Sequence, residues 1–107
     1  MRLAIVIENK KDEIIGECLS SAKSFFIYDT HIDSILILDP PKIRGKENIA
    51  LVYSNFLSHH HIEMVGALDF GPKAISHLSD KNIAIYQANS RDSIERQFKL
   101  MIQHIKK

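Results

Sequence analysis

Short runs of apolar and β-branched residues recur along the chain and predict five strands. The first run, LAIVI at residues 3–7, is apolar at every position, which is typical of a strand covered on both faces. Two further runs, SFFIY at 24–28 and SILIL at 34–38, have five residues between them and predict a hairpin. The fourth run covers 62–68 and the fifth covers 83–86.

Three other stretches have apolar residues at three- and four-residue spacing, which predicts helices with one buried face. The first follows Gly45 and ends near 58–60, and the second covers about 72–78. The third begins at Asp92, whose side chain we expect to cap it, with Glu95 completing a capping box. The first helix should bury Ile49, Val52, Tyr53, Phe56 and Leu57. The third should bury Ile94, Phe98, Met101, Ile102 and Ile105.

The order of these elements, β-β-β-α-β-α-β-α, indicates an α/β fold. Strands that alternate with helices in the second half should be parallel. The hairpin adds at least one antiparallel strand, so we expect a five-stranded mixed sheet with helices on both faces. Residues 12–21, between the first two strands, lack a regular pattern and predict a loop.

Length and composition limit the possible functions. The 107 residues suggest one domain, residues 1–107, with 45% hydrophobic and 25% charged residues. The formal net charge of +1 gives no strong field for nucleic acid or for a membrane surface. No apolar run approaches the roughly 20 residues of a membrane span. The single cysteine, Cys18, excludes an internal disulfide, and we expect an intracellular, cytoplasmic protein.

The stretch ALDFGPKAI at residues 67–75 contains the DFG tripeptide of protein kinases. The other kinase parts, a Gly-rich loop, a strand lysine and an HRD loop, are absent from the sequence. The stretch instead predicts a strand end, a turn at Gly71 and a helix with Pro72 in its first turn. The unpaired N–H groups of that helix would form a small anion site at the carboxyl edge of the sheet. Alternatively, Asp69 caps the helix and nothing binds.

The chain resembles the dinitrogenase iron–molybdenum cofactor biosynthesis family, that of nitrogenase accessory factor-like domains, over nearly its full length. The resemblance rests on MRLAIVIEN at the start, and on SAKSFFIYD at 21–29, which is similar to the family's RA-x-YF-x-I-x-D. It rests most on VGALDFGPKAISHLSDKNIAIYQA, which is similar to V-x-x-GGIGPxAxxxLxxxGIxVY. The helix SIERQFKLMIQ stands where the family has its closing helix.

The resemblance implies a three-layer α/β fold of the ribonuclease H-like motif type with a five-stranded mixed sheet. It also implies a non-catalytic protein that binds or carries an iron–sulfur or iron–molybdenum cluster or its precursor. Cluster-donor or cluster-acceptor proteins would be its partners, and both a monomer and a homodimer remain open.

The chain departs from the family pattern in two places. The family often has HFGRA before the second strand, whereas this chain has CLSSA at 18–22 and so lacks the arginine and the glycine. Leu68 and Asp69 stand where the family has a Gly-Gly pair. An arginine that could hold an anion and a stretch of open backbone are therefore absent.

Cys18 is the first candidate ligand, because thiolate is the ligand that iron in clusters prefers. It falls where the family usually has histidine. One cysteine cannot hold a cluster alone, since such clusters typically use four. Ligation shared across a dimer, a pre-assembled cluster held by one or two ligands, and a plain half-buried thiol all remain open. If a cluster binds, we expect it near Cys18, Asp69, Gly71 and Glu8.

His59, His60 and His61 form a second candidate, because imidazole suits zinc, nickel, copper and iron. The alternative is a polar helix end whose partly protonated histidines interact with the last carbonyls.

Two hypotheses from other classes remain beside cluster binding. Glu8 and Asp69 end two strands, so with Glu17 or Glu47 they could hold Mg²⁺ for phosphodiester hydrolysis. A structural or interaction module without any ligand is the third hypothesis.

Overall fold

The computed structural model describes residues 1–9, 11, 14–43, 48–89 and 92–105. Gly45 and Glu47, and the first two positions of the loop predicted at 12–21, lie outside the described residues. The strands are β1 (Arg2–Ile7), β2 (Ser24–Asp29), β3 (Ser34–Leu38), β4 (Ile62–Ala67) and β5 (Ala84–Gln87). The helices are α1 (Ile49–His59), α2 (Pro72–Asp80) and α3 (Ile94–Ile105), and a short 3-10 turn covers Leu19–Ser21.

The five strands form one mixed sheet in the order β3-β2-β1-β4-β5. β1 pairs antiparallel with β2 and parallel with β4, β2 pairs antiparallel with β3, and β4 pairs parallel with β5. β2 therefore runs against the other four strands. The predictions of a hairpin, of parallel strands in the second half and of a mixed five-stranded sheet are confirmed, and each strand lies within one residue of its predicted bounds.

β1 is the central strand, and residues 3–7 are fully buried, as its apolar run predicted. Its side chains alternate between two apolar clusters. Ala4 and Val6 join the cluster that contains Tyr53 and Leu57 of α1 and Ala74 and Leu78 of α2. Leu3, Ile5 and Ile7 join the cluster that contains Ile94, Phe98 and Met101 of α3. The two-residue period of a strand thus gives each face of the sheet its own core.

The predicted cap of α3 is wrong by one residue. Ser93, not Asp92, precedes the helix, and its hydroxyl oxygen accepts a hydrogen bond from the N–H of Arg96 at 3.3 Å. Asp92 instead accepts from the N–H of Ser93 at 2.8 Å and pairs with Arg96 at 3.0 Å. Glu95 completes no capping box, because its carboxylate lies 3.6 Å from Lys99 on the exposed face.

The loop between β1 and β2 is more ordered than its sequence predicted. Ile15 and Leu19 are buried in the two opposite cores, and the 3-10 turn follows Cys18. Burial of Ile15 on one face of the sheet and of Leu19 on the other fixes the course of this loop over the sheet edge. Within the described ranges, none of the helices combines the length and the apolar character needed to cross a membrane.

Candidate functional site

The segment at residues 14–21, which we call the cysteine loop, lies along the carboxyl ends of β1 and β4. The N–H of Gly16 donates to the carbonyl of Val6 at 2.6 Å. The carbonyl of Gly16 accepts from Leu68 at 3.0 Å, and that of Glu17 accepts from the N–H of Asp69 at 2.7 Å. These backbone bonds hold the loop against the residues that lead into α2. Sequence reasoning had placed Cys18 and Asp69 at the same edge, and the loop does meet that turn.

Glu8 fastens the same loop from the end of β1. Its carboxylate accepts hydrogen bonds from the N–H of Glu17 at 2.9 Å and from the hydroxyl of Ser21 at 3.0 Å. The side chain therefore contacts the loop that carries Cys18. Its predicted role as a ligand stays a prediction, and its observed contacts are those of a residue that positions the loop.

Cys18 is partly buried and has two serine hydroxyls beside its sulfur. Sγ lies 3.3 Å from the Oγ of Ser20 and 3.5 Å from the Oγ of Ser21. The hydrogen bond with Ser20 is the largest cause that lowers the pKa of the Cys18 thiol. Partial burial acts in the opposite direction, and Ser21 lowers the pKa further. The thiolate is the form that binds metal, and the lowered pKa favours it more at Cys18 than at an ordinary cysteine.

Replacing Ser20 by alanine should raise the pKa of the Cys18 thiol, because the strongest donor to the thiolate is removed. The pH profile of iodoacetamide alkylation should shift to higher pH. Since folding lowers this pKa, the stability that it contributes is present above the unfolded thiol's pKa and is lost as the pH falls through the folded one. Ser79→Ala, at the far end of α2, is the matched control. Identical pH profiles of alkylation for Ser20→Ala and the wild type would exclude the hydrogen bond with Ser20 as the cause of the lowered pKa of Cys18.

Cys18, Asp69 and Gly71 line one cavity of about 850 Å³. The amino ends of α1 and α2 also line it, through Asn48 and Pro72. The first N–H groups of a helix lack intrahelical partners and carry the positive end of its dipole, which favours an anion. The cavity thus brings a thiol together with two helix amino ends. Glu8 is not part of its lining.

The start of α2 differs in detail from its prediction. Gly71 is the residue before the helix, and Pro72 occupies the first turn as expected. Asp69 does not cap α2, because no side chain caps it and Asp69 accepts from the adjacent N–H of Phe70 at 2.9 Å. Gly71 makes no sharp turn that would require glycine, since its φ of −72° and ψ of 165° are extended backbone. A Cβ at this position would meet no atom within 4 Å, so the backbone there is open toward the cavity.

Two residues of the cavity wall were missed at the level of sequence. Asn48 caps α1, with its side-chain oxygen accepting from the N–H of Leu51 at 3.2 Å, and its amide nitrogen lies 3.2 Å from His77 on α2. Lys73 supplies a cation in the first turn of α2. Asn48 could have been found as a preferred capping residue before an apolar helical face, whereas the place of Lys73 depends on how α2 meets the loop.

The three histidines lie at the other edge of the sheet. His59 ends α1, and His60 and His61 precede β4 at its amino end. The guanidinium of Arg2, at the start of β1, donates to the carbonyl of His60 at 3.1 Å. Burial is the largest cause that lowers the pKa of His60, with further lowering by His59 and Arg2. This direction favours the neutral form of His60, and the three histidines lie at the edge of the sheet opposite Cys18.

Among the described residues, no group of three or more histidine, cysteine or carboxylate side chains could hold a metal ion. The Mg²⁺ hypothesis needed Glu17 or Glu47 beside Glu8 and Asp69. Glu17 does not complete such a group, and Glu47 lies outside the described residues. The part of the site that the structure describes therefore offers one soft ligand and helix dipoles rather than a complete coordination shell.

The protein is a small α/β domain with an open mixed sheet and a cavity at the carboxyl ends of its central strands. Open α/β sheets generally bind their ligands at that edge. The chain belongs to the family described as dinitrogenase iron-molybdenum cofactor, whose sequence model matches residues 1–104. The resemblance noted from the sequence motifs is thereby confirmed.

Solved structures with the same fold include three proteins of low sequence identity. The protein PH0822 has 17% identity and a TM-score of 0.80, over 97% of this chain and 92% of that one. A NifB-like protein of the DUF35 family from Thermotoga (TM1290) has 17% identity and a TM-score of 0.74, over 95% and 87%. The apo form of the orange protein from Desulfovibrio gigas has 14% identity and a TM-score of 0.82, over 96% and 88%. No curated protein sequence matches the chain. At these identities the likeness shows the fold alone.

Proposed function

We propose that this protein binds or carries an iron–sulfur or iron–molybdenum cluster, or its precursor, as cargo and catalyses no reaction. Family membership supports the kind of cargo. The observation that carries the proposal is the cavity in which Cys18 meets the amino ends of α1 and α2. A thiolate can bond to iron, and helix amino ends stabilise negative charge.

The set of donors favours a pre-assembled cluster over one built on this chain. Iron–sulfur clusters are usually held by four thiolates, and the sequence has one cysteine. A cluster that arrives complete needs one protein bond and a complementary field. Cys18 would supply the bond, while Lys73 and the two helix amino ends would supply the field. The open backbone at Gly71 would allow close approach, and the carboxylate of Asp69 would disfavour the most highly charged anions.

The finer assignments belong to the same proposal. We infer a three-layer sandwich of the ribonuclease H-like motif type, supported by the strand order and by the separate clusters of α1 with α2 and of α3. We also propose a cytoplasmic location, with cluster-donor and cluster-acceptor proteins as partners. Free thiols persist in reducing compartments, and a carrier requires a source and a recipient.

Anaerobic reconstitution with iron, sulfide and molybdate tests the function. After desalting, we expect the wild-type protein to retain iron and to show a broad visible absorption band. Iron is measured by elemental analysis, and a sample incubated with iron alone separates a cluster from loosely bound metal. Absence of both iron and the band would favour the module without a ligand. Mg²⁺-dependent cleavage of a phosphodiester substrate would favour the hydrolase.

A further inference from the structure

β3 forms an edge of the sheet and, as far as the described residues show, its own sequence carries none of the usual protection against pairing. It is the terminal strand in the sheet order, and its sequence SILIL contains no charge, proline or glycine. It pairs with β2 over five residue pairs without a register shift, so no bulge twists the edge away. Natural edge strands are commonly blunted by charges, prolines, bulges or short length. The opposite edge strand, β5, has only four residues.

Exposed apolar side chains concentrate around the same edge. Among the described residues, six large hydrophobic side chains are exposed. Three belong to the β2–β3 hairpin: Ile32 is 64% exposed, Ile35 49% and Ile37 47%. Ile14, also exposed, lines one groove together with Ile35. Among the described residues, a strand edge that no other strand pairs with thus occurs together with exposed apolar side chains. This combination indicates a surface that another strand covers.

We propose that two copies of this chain pair through β3, antiparallel across a two-fold axis, and join their sheets into one. A two-fold axis perpendicular to a sheet brings identical edge strands together in the antiparallel sense, so the edge is its own complement. β3 carries no charge, and the net charge of the chain is +1, so neither opposes self-association.

The alternation of β3 selects the register. Pairing centred on Leu36 places Ile35 of each copy opposite Ile37 of the other, so both isoleucines become covered.

The extent of the contact sets its strength. Five paired residues give a contact about 17 Å long, and stable complexes bury about 800 Å² on each partner. A single strand pair with its flanking isoleucines falls in the class of small, transient interfaces. We therefore expect a dissociation constant on the order of 10–100 μM.

Sedimentation equilibrium of the full chain from about 5 μM to 1 mM measures the association. We expect a monomer–dimer equilibrium for the wild-type chain. Ile37→Lys places a charge on the paired edge and should raise the dissociation constant at least about tenfold. Ile35→Lys should do the same, and circular dichroism shows whether each variant is folded. Ile75→Lys is the matched control, because Ile75 is 44% exposed on α2, away from β3.

Three outcomes would overturn the proposal. The wild type could remain monomeric at 1 mM, as it would if a different protein covers this edge. A dimer that survives both isoleucine substitutions would use another surface. Loss of the dimer on Ile75→Lys alone would place the contact at α2. None of these outcomes depends on whether the protein binds a cluster.

Discussion

Cys18→Ser should abolish the retention of iron and the visible band after anaerobic reconstitution, while the protein stays folded. The thiol is the one soft side-chain donor among the residues that line the cavity, and thiolate is the ligand that cluster iron prefers. The three methionine thioethers are out of reach, since Met64 and Met101 are buried on the α3 side and Met1 packs against the same cluster. The cysteine loop is held by backbone hydrogen bonds at Gly16 and Glu17, which serine leaves in place.

The control for this substitution is His59→Asn, at the opposite edge of the sheet. It should retain as much iron as the wild type. Equal iron in Cys18→Ser and the wild type would remove Cys18 from the site and turn attention to His59, His60 and His61. Urea unfolding of each variant, followed by circular dichroism, separates loss of the ligand from loss of the fold.

Gly16→Ala should destabilise the protein by about 1–3 kcal/mol, the usual cost of overpacking. A Cβ at this position would lie 2.8 Å from Cγ1 of Val6, 3.0 Å from its carbonyl oxygen and 3.1 Å from Cγ of Glu8. The carbonyl oxygen belongs to the central strand and cannot move aside. The loop must therefore shift, and its hydrogen bonds to Leu68 and Asp69 weaken. The free energy of unfolding from urea titration measures the effect.

Gly71→Ala is the matched control for Gly16→Ala. The added Cβ would meet nothing within 4 Å, and the φ of −72° suits any residue. We expect the free energy of unfolding to change by less than about 0.5 kcal/mol. If Gly71→Ala lowered the free energy of unfolding as much as Gly16→Ala, local packing would not explain the effect of Gly16→Ala. Reduced retention of iron at unchanged stability would instead place the cargo against this stretch of backbone.

The positions of the strands and helices could be predicted from the sequence, because they depend on local periodicity. An all-apolar run such as that at 3–7 is stable only where both faces are covered, so the central place of β1 follows from it. The apolar faces of α1 and α3 follow from their spacing in the same way. The cap of α3 was misplaced because Asp92 and Ser93 are both good capping residues. Only the backbone geometry distinguishes them.

The candidate site could be predicted only in part. The order and spacing of the elements predicted Pro72 in the first turn of α2. They also predicted that Cys18 and Asp69 lie together at the carboxyl edge of the sheet. The sequence did not predict that Asp69 leaves α2 uncapped, or that the backbone at Gly71 is extended rather than sharply turned. Both features depend on backbone angles that no local pattern specifies.

The sequence by itself determined the alternation of elements, the two buried faces of the central strand, the family and the single thiol. The tertiary structure alone decided which distant residues meet. It brought Asn48 and Lys73 to the cavity of Cys18 and packed Gly16 against Val6. It also placed the histidines at the opposite edge and made β3 the terminal strand of the sheet. The physical reason is that the apolar periodicity of a strand or a helix is set by a few neighbouring residues. Contacts between loops instead depend on the strand order and on the path of each connection, which are properties of the whole chain.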